Sequence, residues 1–87
     1  MKALNTVKIT FPSRSVNEGF ARSAVAAFAA QADPTMDELA DIKTAVSEAV
    51  TNCIVHAYAG GEGEIEIFCL AEGDTVHIRI SDSGKGI

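Results

Sequence analysis

The chain opens on a strict alternation. In Asn5-Thr-Val-Lys-Ile-Thr-Phe11, Val7, Ile9 and Phe11 share one side, and Thr6, Lys8 and Thr10 the other. A period of two predicts a half-buried strand. Pro12 closes it, and Ser15-Val-Asn-Glu18 reads as a capping box opening a helix that runs to about Gln31. Asp33-Pro34 breaks that helix, and a second box, Thr35-Met-Asp-Glu38, opens another. Its apolar positions, Leu39, Ile42, Val46, Ala49, Val50, Cys53, Ile54 and Ala57, fall within an arc of about 140°. Gly60-Gly61 supplies a stop. Two further alternating segments follow. Ile65, Ile67 and Cys69 share a face of the first; after the turn at Glu72-Gly73-Asp74, Val76, Ile78 and Ile80 share a face of the second. The order β-α-α-β-β predicts an α+β fold, a two-layer sandwich with helices on one face of a mostly antiparallel sheet.

Eighty-seven residues allow one domain, and an apolar fraction of 47% with 22% charged residues is that of a folded globular chain. A formal net charge of −5 argues against capture of nucleic acid or of an anionic membrane. No apolar run approaches the ~20 residues of a membrane span, and no signal peptide opens the chain. Cys53 and Cys69 lie inside apolar patterns and are expected to be buried thiols in a reducing cytoplasm.

Glu48 and Asn52 stand four apart on the second predicted helix, about 60–100° outside its apolar arc, with His56 continuing the row. Such a pair is either a solvated stripe or a chemical one. A carboxylate and an amide oxygen one turn apart can hold a hard cation such as Mg²⁺, and the carboxylate can deprotonate a hydroxyl. Val55, in the sector of Glu48, makes that face less than uniformly polar. Asp82 continues the register of Val76, Ile78 and Ile80, so it is expected to point toward the helices. There it either caps a loop or helix, or accepts from a ligand amino group. Gly84 and Gly86 suit a strand-end turn and equally a close backbone approach to a ligand. Gly84-Lys85 is followed by Gly86 rather than Ser or Thr, so this is no Walker loop. Two cysteines and the scattered His56 and His77 make no zinc set. Arg22, among Gly19, Ala26 and Ala29, is either a surface helix former or a partner-docking cation. His77 and Arg79 are expected to face solvent.

Taken together and in order, Glu48-Ala-Val-Thr-Asn52-Cys-Ile-Val-His56-Ala-Tyr58 and Asp82-Ser-Gly84-Lys-Gly86-Ile87 resemble the N-box and first glycine box of the histidine-kinase-like (GHKL) ATPases. That superfamily includes gyrase, histidine kinases, a mismatch-repair ATPase and a heat-shock chaperone. The Asn17-Glu-Gly-Phe-Ala-Arg22 helix and the Glu-Ala-Val-Thr-Asn core narrow the resemblance to the anti-sigma-F family of spore-forming bacteria. The resemblance implies a Bergerat-type fold and an ATP-dependent serine-protein kinase. Such a kinase restrains a sporulation sigma factor and phosphorylates an anti-anti-sigma partner on serine. In that family ATP favours the sigma-bound state, which the resemblance implies here. By position, Asn52 matches the Mg²⁺-binding asparagine, Glu48 the carboxylate assisting attack, Asp82 the adenine acceptor, and Gly84 and Gly86 the glycines that approach ATP or ADP. Arg22 is the candidate partner-binding residue. The family's lid, second glycine box and remaining strands would lie beyond Ile87, so residues 1–87 are expected to be the N-terminal part of one such domain. A homodimer through Phe68 and Leu70 is expected, with no nucleic acid or membrane partner. Rival readings are a stress-response switch kinase of the same superfamily, a nucleotide-gated binding module without catalysis, and a ligand-free structural domain.

Overall fold

Nine residues at the start of the chain, Leu4–Pro12, form strand β1, and its register shows at once how the sheet is built. β1 pairs antiparallel with β2 (Glu64–Glu72), setting Val7 opposite Cys69, Ile9 opposite Ile67 and Phe11 opposite Ile65. β2 pairs antiparallel with β3 (Thr75–Asp82), setting Ile67 opposite Ile80 and Cys69 opposite Ile78. The expected faces therefore coincide across all three strands, in the order β1-β2-β3. This is a computed structural model, and it describes residues 4–57 and 63–82. Gly60, Gly61, Tyr58 and the Gly84–Gly86 loop lie outside the described residues.

Two helices cover that common face. α1 spans Asn17–Ala29 and ends in a 3₁₀ turn at Ala30–Ala32; α2 spans Met36–Asn52. The core joins Ala21 and Val25 of α1, Val46 and Val50 of α2, and Phe11, Ile65, Ile67 and Cys69 of the sheet. β2, flanked on both sides, is the best-buried strand, whereas Val7 in the middle of β1, flanked on one side among the described strands, is 39% exposed. The α+β sandwich with helices on one side of an antiparallel sheet is thus observed. No helix among the described residues is long and apolar enough to cross a membrane.

The turns carry their own chemistry. Asp33 takes a left-handed conformation (φ 56°), which aspartate tolerates better than most residues, and this reverses the chain before Pro34. The Thr35 box forms as expected: the Glu38 N–H donates to Thr35 Oγ1 (3.0 Å), and the Thr35 N–H donates to Glu38 Oε1 (2.8 Å). β2 and β3 are joined by a two-residue loop in which Gly73 has φ 63°, a conformation a side chain would strain.

The Ser15 box does not form. α1 begins after Val16 with no side-chain cap; the Glu18 N–H donates instead to the Ser15 carbonyl (3.2 Å). The reason is register: the helix starts one residue late, with Val16 at the N-cap, so Glu18 stands second rather than third in it, and its carboxylate pairs one turn on with Arg22 Nη1 at 3.0 Å. The start of α1 is fixed from the preceding segment, where Asn17 Nδ2 donates to the Pro12 carbonyl (3.0 Å). Nearby, the Ser13 N–H donates to the Gly63 carbonyl and the Gly63 N–H to Ser13 Oγ, both at 2.9 Å.

The second departure concerns α2. Helical pairing widens into a π-helical turn at Cys53–Ala57. The widened turn keeps the consecutive Cys53 and Ile54 against the core while Val55 and His56 face outward. π turns recur at functional sites, which draws attention to this end of α2.

Candidate functional site

α2 presents Glu48 and Asn52 one turn apart and both exposed, in an open groove of about 370 Å³ also lined by Ser47 and Thr51. Exposure follows from the sequence: with Val46 and Val50 turned into the core, Glu48 and Asn52 must turn away from it. The groove is therefore walled by one carboxylate, one amide and two hydroxyls. Oxygen donors of this kind suit Mg²⁺. Among the described residues, no group of three or more His, Cys, Asp or Glu is arranged to hold a metal by itself. Glu48 and Asn52 thus fit a cation that takes the rest of its shell from water or phosphate, as Mg²⁺ ordinarily does.

Asp82 ends β3 opposite Ile65, on the helix-facing side, and is half-buried. The register expectation for its direction is met. Its charge reaches the π turn: burial pushes the Cys53 thiol above its usual pKa, and the nearby Asp82 carboxylate pushes it the same way. Cys53 follows Asn52 directly, so the end of α2 and the end of β3 converge. Cys69 is buried in the core and Cys53 half-buried; both are free thiols.

Sequence reasoning missed a cleft. Between α2 and β3, Ile42, Ala45, Val46, Ala49, Ile78 and Ile80 line an apolar opening of about 340 Å³. The small residues at positions 45 and 49, one turn apart, were the available signal, since they hold the helix surface back from the strand. Ile80 lies two residues before Asp82 on the same face, so the cleft leads toward that carboxylate.

Arg22 is not a free surface cation. It is half-buried where α1 meets α2, and its Nη1 donates to Glu18 Oε2 (3.0 Å) and to Ser47 Oγ (3.3 Å). The small residues around it are explained by packing, as Ala26 and Ala29 are buried. On the opposite sheet face, Phe68 and Leu70 are half-buried. Arg79 is exposed as expected, yet its guanidinium stacks 5.1 Å from the Phe68 ring centroid. Lys8 pairs across the strands with Glu66 at 3.4 Å, an exposed bridge of small energetic weight.

The model of the histidine kinase-like ATPase domain matches residues 11–87. Among curated proteins, an anti-sigma F factor of Thermoanaerobacter sp. (strain X514) is 55% identical over 87 residues, covering all of this chain and 61% of that protein. The anti-sigma F factor of Clostridium botulinum (strain Eklund 17B / Type B) is 56% identical over 84 residues, 95% of this chain and 59% of its own length. That of Geobacillus kaustophilus is 52% identical over 84 residues, 95% and 58% respectively. The chain spans about three fifths of these relatives.

Proposed function

The chain belongs to the histidine kinase-like ATPase domain family, and on that premise we propose that it is the N-box part of an anti-sigma factor that is also a serine-protein kinase. The carrying observation is the convergence at one end of the sandwich: the Glu48/Asn52 groove on α2 and the Asp82 carboxylate on β3, with the π turn that follows Asn52 in contact with β3. Bound Mg-ATP supplies the transferable phosphoryl group and part of the charge neutralisation that such transfer needs. Asp82 accepts from the adenine amino group, with the apolar cleft below it suited to a flat ring. The Asn52 amide oxygen holds the cation side of the phosphates. Glu48 orients the acceptor serine hydroxyl and takes its proton. Gly84 and Gly86 let the loop after β3 approach the nucleotide. The partners are a sigma F factor, held through the α1 surface around Arg22, and an anti-anti-sigma protein that receives the phosphate. A second copy of the chain covers the open sheet face at Phe68 and Leu70; sedimentation at rising concentration should show a dimer, and a species monomeric throughout would remove that element.

Asp82→Asn tests the adenine assignment. The amide keeps an acceptor oxygen but loses the charge, which weakens the hydrogen bond by about 1–1.5 kcal/mol, so the Kd for Mg-ATP and Mg-ADP should rise roughly 5- to 12-fold. Calorimetry on a chain extended to the relatives' length measures this, with circular dichroism confirming the fold. The same substitution should lower the Cys53 pKa, read from the pH dependence of its alkylation. Unaltered nucleotide affinity in a folded Asp82→Asn chain would remove Asp82 from the site.

A further inference from the structure

Arg22 and the groove share an atom. Nη1 of Arg22 makes both of its hydrogen bonds, to Glu18 on its own helix and to Ser47 Oγ on α2. The guanidinium lies back across Gly19, with Nη2 3.6 Å from where a Cβ at that position would stand. Nε and Nη2 carry no hydrogen bond among the described residues. Ser47 in turn lines the groove with Glu48, Thr51 and Asn52. A serine hydroxyl is both donor and acceptor. While its oxygen accepts from Arg22, its proton can be given to an oxygen inside the groove.

We propose that Ser47 is a positioning residue coupling the groove to the α1 surface: a phosphate oxygen that accepts the Ser47 proton strengthens the bond Ser47 accepts from Arg22. Hydrogen bonds in a chain polarise one another, so filling the groove side tightens the guanidinium side. A guanidinium held across Gly19 presents Nε and Nη2 to a partner in one orientation. Released from Ser47, it keeps only the Glu18 anchor. Triphosphate therefore favours the capture-ready seat, and loss of the terminal phosphate relaxes it. The inference rests on the functional reading above and adds to it the atom through which nucleotide state is reported to α1.

The test uses a chain extended to the relatives' length and purified sigma F factor. Capture is measured by calorimetry in Mg-ATP and in Mg-ADP for wild type, Ser47→Ala and Ser47→Thr, and nitrogen NMR follows the Arg22 guanidinium. Coupling between sites is ordinarily roughly 5- to 150-fold, and the wild-type ratio of the two Kd values is expected in that range. Strengthening a charge-assisted bond by 10–30% is worth roughly 1.3- to 5-fold, so Ser47→Ala should lower the ratio by that factor, and Ser47→Thr, which keeps the hydroxyl, should restore it. Independently of any partner, Mg-ATP should slow exchange of the wild-type Arg22 Nη protons and have no such effect in Ser47→Ala. A wild-type ratio in Ser47→Ala, or a Thr variant behaving like the Ala variant, overturns the proposal. So does an Arg22 signal that ignores Mg-ATP, even where capture depends on nucleotide. Wild-type protein that captures no sigma factor in either nucleotide brings down the functional reading, whereas a Ser47→Ala chain with unaltered coupling brings down this inference alone.

Discussion

Glu48→Gln is expected to slow phosphoryl transfer to the anti-anti-sigma serine by roughly 10²- to 10⁴-fold, the usual contribution of a positioned general base. Binding of Mg-ATP should persist. The substitution keeps the shape of the side chain and one oxygen acceptor; what it removes is the ability to take a proton. Glu48 is exposed and lies in an open groove, and Val50 two residues on fixes the helix rotation that puts it there, so the variant has no route to a packing defect. The measurement is transfer of labelled phosphate under single-turnover conditions, with nucleotide affinity determined on the same preparation. Undiminished transfer would make Glu48 a solvated residue of α2 and shift the reading to a nucleotide-gated binding module.

The second large effect concerns stability. Ile67 is 0% exposed, sits on the central strand between Ile9 and Ile80, and faces both helices. Truncating it to alanine should cost about 2–5 kcal/mol. A chain of this size has only roughly 4–13 kcal/mol in hand, so urea unfolding of Ile67→Ala should begin at far lower denaturant or show no native baseline. Val7→Ala is the informative comparison. It removes methyl groups from the same sheet face, but at a site 39% exposed, and should cost well under half as much. Equal losses at the two positions would mean that the helices cover β1 more completely than its exposure indicates.

What could be read from the sequence and what could not divide along one physical line. Alternation at Val7, Ile9 and Phe11, and again at Ile65 to Cys69 and Val76 to Ile80, is local. Because a strand's side chains alternate strictly, the inward direction of Asp82 followed from Ile80 two residues earlier. The Thr35 box was legible because both its partners lie within one turn. The Ser15 box fits the same pattern and failed, because the helix starts one residue later, at Asn17, and its glutamate pairs with Arg22. The groups that decide the site's connections are distant in sequence: Arg22 and Ser47 are 25 residues apart, and Ser13 and Gly63 are 50 apart. Nothing in a periodicity names such partners. The π turn escaped for another reason: the apolar pattern at Cys53 and Ile54 continues the helical arc, and a widened turn keeps both against the core.

The pairing of β1 with β2 has a consequence for how the molecule comes into being. β1 finds its partner only after two helices have followed it from the ribosome, with Ser13 and Gly63 joined across 50 residues. At about 5–20 residues per second, this leaves Val7, Ile9 and Phe11 without their sheet for roughly 3–10 s of synthesis. In that interval the nascent chain shows a short β-prone segment with nothing to pair with. Lys8 in the middle and Pro12 at its end are the residues that keep such a segment from pairing with another chain first.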